Sequence, residues 1–182
     1  MGLNLRNRRI FKSFRLATRQ KNSNSPIDMK IDSMDCQILD ALQRDADTPV
    51  AELARRLGLS TSSCWRRIQR LRESKVILRS AAIVDPQRIN LGVTVFVSIK
   101  TSRHTPEWFE RFRATAESIP EVVEFYRMSG DVDYLLRVVV PNIAAYDSVY
   151  KRLTRGTELS DVSSSFAMEE IKFTTALPLD YA

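Results

Sequence analysis

Apolar residues recur at helical spacing in three short blocks between residues 32 and 74, then pass into β-branched runs separated by two longer helical blocks. In the first block Ile38, Leu39 and Leu42 fall on one face. Ahead of them stands Asp32-Ser33-Met34-Asp35, an N-cap acid with a second acid three residues on. That pair suits the positive end of a helix running to about Arg44. Thr48-Pro49 opens a second helix, because Thr can cap and Pro at the first helical position loses no needed hydrogen bond. Leu53, Ala54 and Leu57 form its apolar face, and Gly58 stops it by taking the left-handed conformation that ends helices. Ser60 caps a third helix from Thr61 to about Ser74. There Cys64, Ile68 and Leu71 face the core, while Ser62, Arg66, Gln69, Arg70 and Glu73 point away. Ser63 and Arg67 lie on the flank, and Trp65 is expected to pack at the core edge. Val76–Val84, with Ile77, Leu78 and Ile83, reads as extended chain forming a wing-like edge.

A short helix, a glycine-containing turn and a second helix make the helix-turn-helix arrangement. The N-terminal part of its second helix enters the major groove of double-stranded DNA. Thr61, Ser62, Ser63, Arg66, Arg67 and Arg70 are therefore the candidate DNA contacts. Hydroxyls and guanidiniums suit phosphates and base edges, Arg to guanine in particular. Arginines on an arbitrary helix usually only solvate it. The Gly58 turn and the Ser60 cap ahead of Arg66, Arg67, Arg70 and Arg72 favour the DNA-facing role.

Beyond Asp85-Pro86 the period changes. Val93–Ile99 is a β-branched run of strand character, and Thr105-Pro106-Glu107 starts a helix carrying Trp108, Phe109, Phe112, Ala116 and Ile119 up to Pro120. Val122–Met128 is a second strand, Ser129-Gly130-Asp131 a turn, and Tyr134–Val140 a third strand. Pro141-Asn142 opens a helix with Ile143, Tyr146, Val149, Tyr150 and Leu153, and the stretch from Val162 to Thr175 contains the last strand. This order is the ferredoxin-like βαββαβ arrangement, so the fold class is α+β. Helices cover one sheet face, and apolar residues on the other would stay unburied in a monomer, which predicts a dimer or larger assembly.

Charge divides the chain further. Residues 1–28 hold seven basic side chains (Arg6, Arg8, Arg9, Lys12, Arg15, Arg19, Lys21) against Asp28. Residues 29–84 hold ten against seven acids, and residues 85–182 eleven against fourteen. The leading segment supplies the whole net excess of +6, so the bulk charge says little. A basic module followed by a mildly acidic one indicates different partners for each. Three readings of residues 1–30 stay open: a disordered basic arm, a transit-like composition, or a chain whose true start is Met29 or Met34. The domains expected are then 31–84 for DNA binding, 85–92 as linker, and 93–176 for ligand binding and oligomerisation.

The residue inventory argues against catalysis. His104 is the only histidine and has no nucleophile placed with it, and two cysteines, Cys36 and Cys64, cannot join it in a metal cluster of useful spacing. No phosphate-cradling glycine loop or dinucleotide fingerprint occurs, and no cofactor is expected. No apolar run reaches the roughly 18 residues that span a bilayer. Few cysteines and no disulfide framework fit a reducing cytoplasm.

Asp35-Cys-Gln-Ile-Leu39, Glu52-Leu-Ala54, Gly58-Leu-Ser60, Cys64 with Arg67-Ile-Gln-Arg-Leu71, Ser129-Gly-Asp-Val-Asp-Tyr134 and Met168-Glu-Glu170 together resemble the leucine-responsive/asparagine-responsive (Lrp/AsnC) family of transcriptional regulators. The resemblance covers roughly Ile31 to Pro178. It implies a homodimer, commonly built into an octamer, that binds specific DNA and holds a small amino-acid effector between subunits beside the Gly-Asp-x-Asp turn. Carried over, the effector positions are Met128, Ser129, Gly130, Asp131, Asp133, Ile143, Ser165, Phe166 and Ala167. Asp131 or Asp133 suits the ammonium, turn N–H groups around Ser129-Gly130 suit the carboxylate, and Ile143 and Phe166 suit the side chain. Cys64-Trp-Arg-Arg67, Arg127-Met128, Ser164–Glu169, Lys172 and Thr174–Pro178 resemble a branch that answers to cysteine. A largely non-specific architectural DNA-binding protein, and an amino-acid sensor without DNA binding, are the alternatives.

Overall fold

The computed structural model describes residues 30–182; the three readings of the basic leading segment lie outside the described residues. The chain divides into two compact units, one holding the residues up to Ala81 together with Thr175–Ala182, the other Ala82–Thr174.

In the first unit, helices α1 (Ser33–Arg44), α2 (Val50–Arg56) and α3 (Thr61–Glu73) enclose a core of Ile38, Leu39, Leu53, Ala54, Cys64, Ile68 and Leu71. The start of α1 is a reciprocal capping box: Asp35 N donates to Asp32 Oδ1 at 2.8 Å and Asp32 N to Asp35 Oδ2 at 3.2 Å. Ser60 accepts from Ser63 N at 3.2 Å, and Gly58 sits at φ +67° between α2 and α3, as their spacing predicted. The start of α2 differs from expectation. Pro49 occupies the N-cap position with extended ψ and no side-chain cap, and the helix begins at Val50. The Thr48 hydroxyl donates back to Asp45 Oδ2 at 2.9 Å, tying it to the loop before the helix.

Two further departures concern exposed apolar groups. Trp65 does not pack at the core edge but is 55% exposed. The segment Val76–Val84 is open chain with no strand pairing among the described residues, and Leu78, Ile83 and Val84 are exposed. A wing needs a hydrogen-bonded partner strand, and this segment has none there. The last residues of the chain instead return to α1. Gln43 Nε2 donates to Leu177 O at 3.2 Å, Leu177 N donates to Gln43 Oε1 at 2.7 Å, and Leu179 packs on the helical core.

The second unit is the expected βαββαβ: β1 (Val93–Lys100), α4 (Pro106–Glu117), β2 (Val122–Arg127), β3 (Tyr134–Val140), α5 (Ile143–Thr154) and β4 (Asp161–Phe166). The sheet order is β2-β3-β1-β4 with every neighbouring pair antiparallel. Thr105 caps α4 at Trp108 N (3.2 Å) and Asn142 caps α5 at Ala145 N (2.9 Å). Alternation in β1 and β3 sends Val95, Val97, Ile99, Tyr134, Leu136, Val138 and Val140 toward the helices, where Phe112, Ala116, Val149 and Leu153 complete the core. The opposite face is less apolar than expected. Phe96, Leu135 and Val139 share it with Ser98, Ser163 and Ser165, and with Arg137, whose Nε donates to Glu124 Oε1 at 2.8 Å. No helix among the described residues is long and apolar enough to cross a membrane.

Candidate functional site

Helix α3 carries the DNA-facing candidates, and its surroundings sort them. Thr61, Ser62 and Arg66 are exposed, and Ser63, whose N–H donates to the Ser60 cap, is half-buried. Arg67 and Arg70 are otherwise engaged. Arg67 Nη1 donates to Asp35 Oδ1 at 2.8 Å and to Asp32 Oδ2 at 2.7 Å, and Arg70 Nη2 donates to Asp35 Oδ2 at 2.5 Å. The Asp35 side chain is wholly buried, and this carboxylate engages both guanidiniums, Arg67 half-buried and Arg70 still exposed along much of its side chain. Sequence reasoning saw Asp35 only as a helix-start acid. The available signal was the matched spacing, acids three apart on α1 and arginines three apart on α3.

The Arg67 hydrogen bond, followed by the Asp35 N–H, holds the Asp32 carboxyl below its ordinary value of 3.8. A lowered folded-state value stabilises the fold above the ordinary value and is lost as pH falls through the folded one. Wild type is therefore expected to melt above Asp32→Asn at neutral pH. The two melting curves should converge in acid, once pH has fallen through the lowered folded-state value, which differential scanning calorimetry across pH would check.

The effector candidates lie on the sheet unit, at two separate ends of it. Between β2 and β3, Met128 N donates to Asp133 O at 2.8 Å, Asp133 N to Ile99 O at 3.0 Å, and Thr101 N to Asp133 Oδ2 at 2.8 Å. Asp133 thus ties the turn to the end of β1, and its carboxylate already serves the backbone. Asp131 is exposed, beside Ser129 and Gly130. Gly130 has φ +124°, a conformation that L side chains rarely adopt, although a Cβ there would meet nothing within 4 Å. Backbone geometry, not space, asks for glycine.

The remaining candidates gather at the other end of the sheet. Ile143 opens α5 just beyond Val140 and is 68% exposed. Phe166 pairs with Val95 and meets the Tyr146 ring edge-on at 5.4 Å, Ser165 pairs with Phe96, and Ala167 N donates to Thr94 O at 2.9 Å. Tyr146 and Ser164 are joined through their hydroxyls, fixing α5 to β4. Val93 pairs with Val140 and Ile99 with Tyr134, so the two groups are separated by the length of β3. Its 7 residues span about 20 Å. One chain does not bring all nine positions around one small ligand.

Residues 31–72 match the AsnC-type helix-turn-helix domain, and residues 94–177 match the Lrp/AsnC ligand binding domain. The DNA-binding transcriptional activator DecR of Escherichia coli is 44% identical over 151 residues, covering 82% of this chain and 99% of DecR. Among solved structures, an AsnC family transcriptional regulator from Agrobacterium tumefaciens superposes with TM-score 0.80 at 60% identity, covering 82% of this chain and 98% of that one. A transcriptional regulator from Neisseria meningitidis, solved as its L-Met complex, superposes with TM-score 0.79 at 33% identity, covering 83% and 98%. With both halves matched in order and the fold shared over 82% of the chain, the chain belongs to the Lrp/AsnC family of DNA-binding transcriptional regulators.

Proposed function

We propose that the chain works as a homo-oligomer that reads double-stranded DNA through α3 and changes its DNA affinity when a small free amino acid binds between subunits. The observation that carries this reading is the separation of the effector positions. Met128–Asp133 and the Ile143–Ala167 group occupy opposite ends of one sheet, so a ligand touching both must lie between chains. At such a junction exposed Asp131 pairs with the ammonium and the Ser129-Gly130 N–H groups take the carboxylate. Ile143 and Phe166 of a second chain then limit the side chain, with Ser165 and Ala167 beside them. Asp133 acts by shaping the turn.

Residues 31–84 serve DNA binding and 93–176 effector binding and assembly, joined by 85–92. Dimers, assembled toward an octamer, set two recognition helices about 34 Å apart on successive major grooves. Effector binding shifts the population between assembly geometries that bind DNA differently. Cysteine is the first candidate, on the branch resemblance around Cys64–Arg67 and Ser164–Glu169; the Neisseria relative was solved with L-Met. The protein carries out no catalysis in this reading and works in the cytoplasm.

Fluorescence anisotropy at physiological salt, comparing the protein's own upstream DNA with a scrambled duplex and adding each amino acid in turn, tests the proposal. Preference for the real sequence, altered by one amino acid, is expected. Equal binding to both duplexes would favour the architectural alternative, and no binding to either would favour the sensor.

A further inference from the structure

Two sides of α3 do different work. At about 100° per residue, Ser62, Trp65, Arg66 and Gln69 share one strip, while Arg67 and Arg70 lie toward α1. On the α1 side, two guanidiniums meet the carboxylates of Asp32 and Asp35. Those four charges sum to zero, so this side adds no net attraction for phosphate. It does fix the roll of the helix, because the wholly buried Asp35 is itself anchored by the capping box and takes both arginines. On the other strip, Arg66 forms no ion pair among the described residues, and Trp65 beside it leaves 55% of its surface in water. A large aromatic held outward next to a free guanidinium offers an apolar plate and a cation on one strip of the helix. It suits a helix that enters the major groove, where the thymine C5-methyl is the apolar feature of the base edges.

Building on the DNA-binding reading, we propose that Trp65 is a specificity-determining residue that packs on a thymine methyl group beside Arg66, while Arg67 and Arg70 position α3 through Asp35 and touch no base. The partner is duplex DNA with thymine at a fixed place in each half-site.

Selection from a randomised duplex pool, using the full chain, tests both halves. The wild type is expected to recover a motif with thymine at fixed positions. Trp65→Ala should lose the preference there and keep it elsewhere. Replacing that thymine by deoxyuridine should weaken the wild type about fourfold, the value of one buried methyl group, and leave Trp65→Ala unaffected. An unchanged motif from Trp65→Ala would overturn the assignment. So would an unchanged motif accompanied by an altered oligomer size in gel filtration, which would make Trp65 a subunit contact.

For the positioning residues the readout is the salt dependence of binding. Asp35→Asn frees Arg70, whose ion pair among the described residues is with Asp35, while Arg67 keeps Asp32; the motif should relax throughout and the slope of log affinity against log salt should steepen by about 0.9 for the new phosphate contact. A slope equal to that of the wild type would overturn the positioning role. A wild type that selects no motif would overturn the regulator reading beneath both.

Discussion

Replacing Arg67 and Arg70 together by methionine is expected to destabilise the helical unit by about 3–5 kcal/mol, the usual cost of leaving a buried charge without its counter-charge. The size follows from the wholly buried Asp35 side chain. With both guanidiniums gone, its carboxylate keeps only the Asp32 N–H within the capping box. Urea unfolding followed by helical circular dichroism measures the loss. Adding Asp35→Asn to the double variant separates charge burial from packing. The amide keeps the shape and still accepts from Asp32 N, so more than half of the lost stability should return. No recovery would mean that the arginine stems stabilise the unit by covering apolar surface. Either way the sites are too close for their effects to add.

The second large effect belongs to the sheet unit. Phe112 is fully buried, and its ring lies 5.3 Å from Trp108, 5.5 Å from Phe125 and 5.6 Å from Tyr134. Phe112→Ala removes the centre of this cluster and is expected to cost about 3–5 kcal/mol. Tyr134 follows Asp133 directly, so the loosened cluster also loosens the turn that holds Ser129 and Gly130. Amino-acid binding measured by calorimetry should therefore weaken along with stability. Phe112→Leu, which keeps most of the apolar volume, should lose much less of both. If Phe112→Ala bound the effector with unchanged affinity, the turn would be held by the β1 hydrogen bonds alone.

Much of this architecture was legible in the sequence because local chemistry and global fold agree. Ser60, Gly58 and Thr105-Pro106 mark helix ends by mechanisms confined to a few residues, and the alternation in β1 and β3 fixes which side faces the helices. What escaped depends on who meets whom across the chain. Trp65 sits about a quarter-turn from the apolar stripe of α3, where a wheel cannot decide between core edge and solvent. Asp35 has a sufficient local role as a helix-start acid, and its larger one appears only when α3 is laid against α1. Asp131 and Asp133 look equivalent in sequence, yet only Asp133 is committed to the end of β1, by a bond 32 residues long in the chain. The polar character of the open sheet face likewise follows from register, which set Arg137 opposite both Glu124 and Phe96.

The pairing of Gln43 with Leu177, 134 residues later, bears on how the protein is made. A ribosome adding about 5–20 residues per second needs roughly 7 to 27 seconds between the two. For most of that interval, once Glu73 has been added, α1 to α3 are all synthesised, but the apolar surface that receives Leu179 is still bare. The DNA-reading unit thus emerges first and is closed last, after the whole sheet unit has been synthesised.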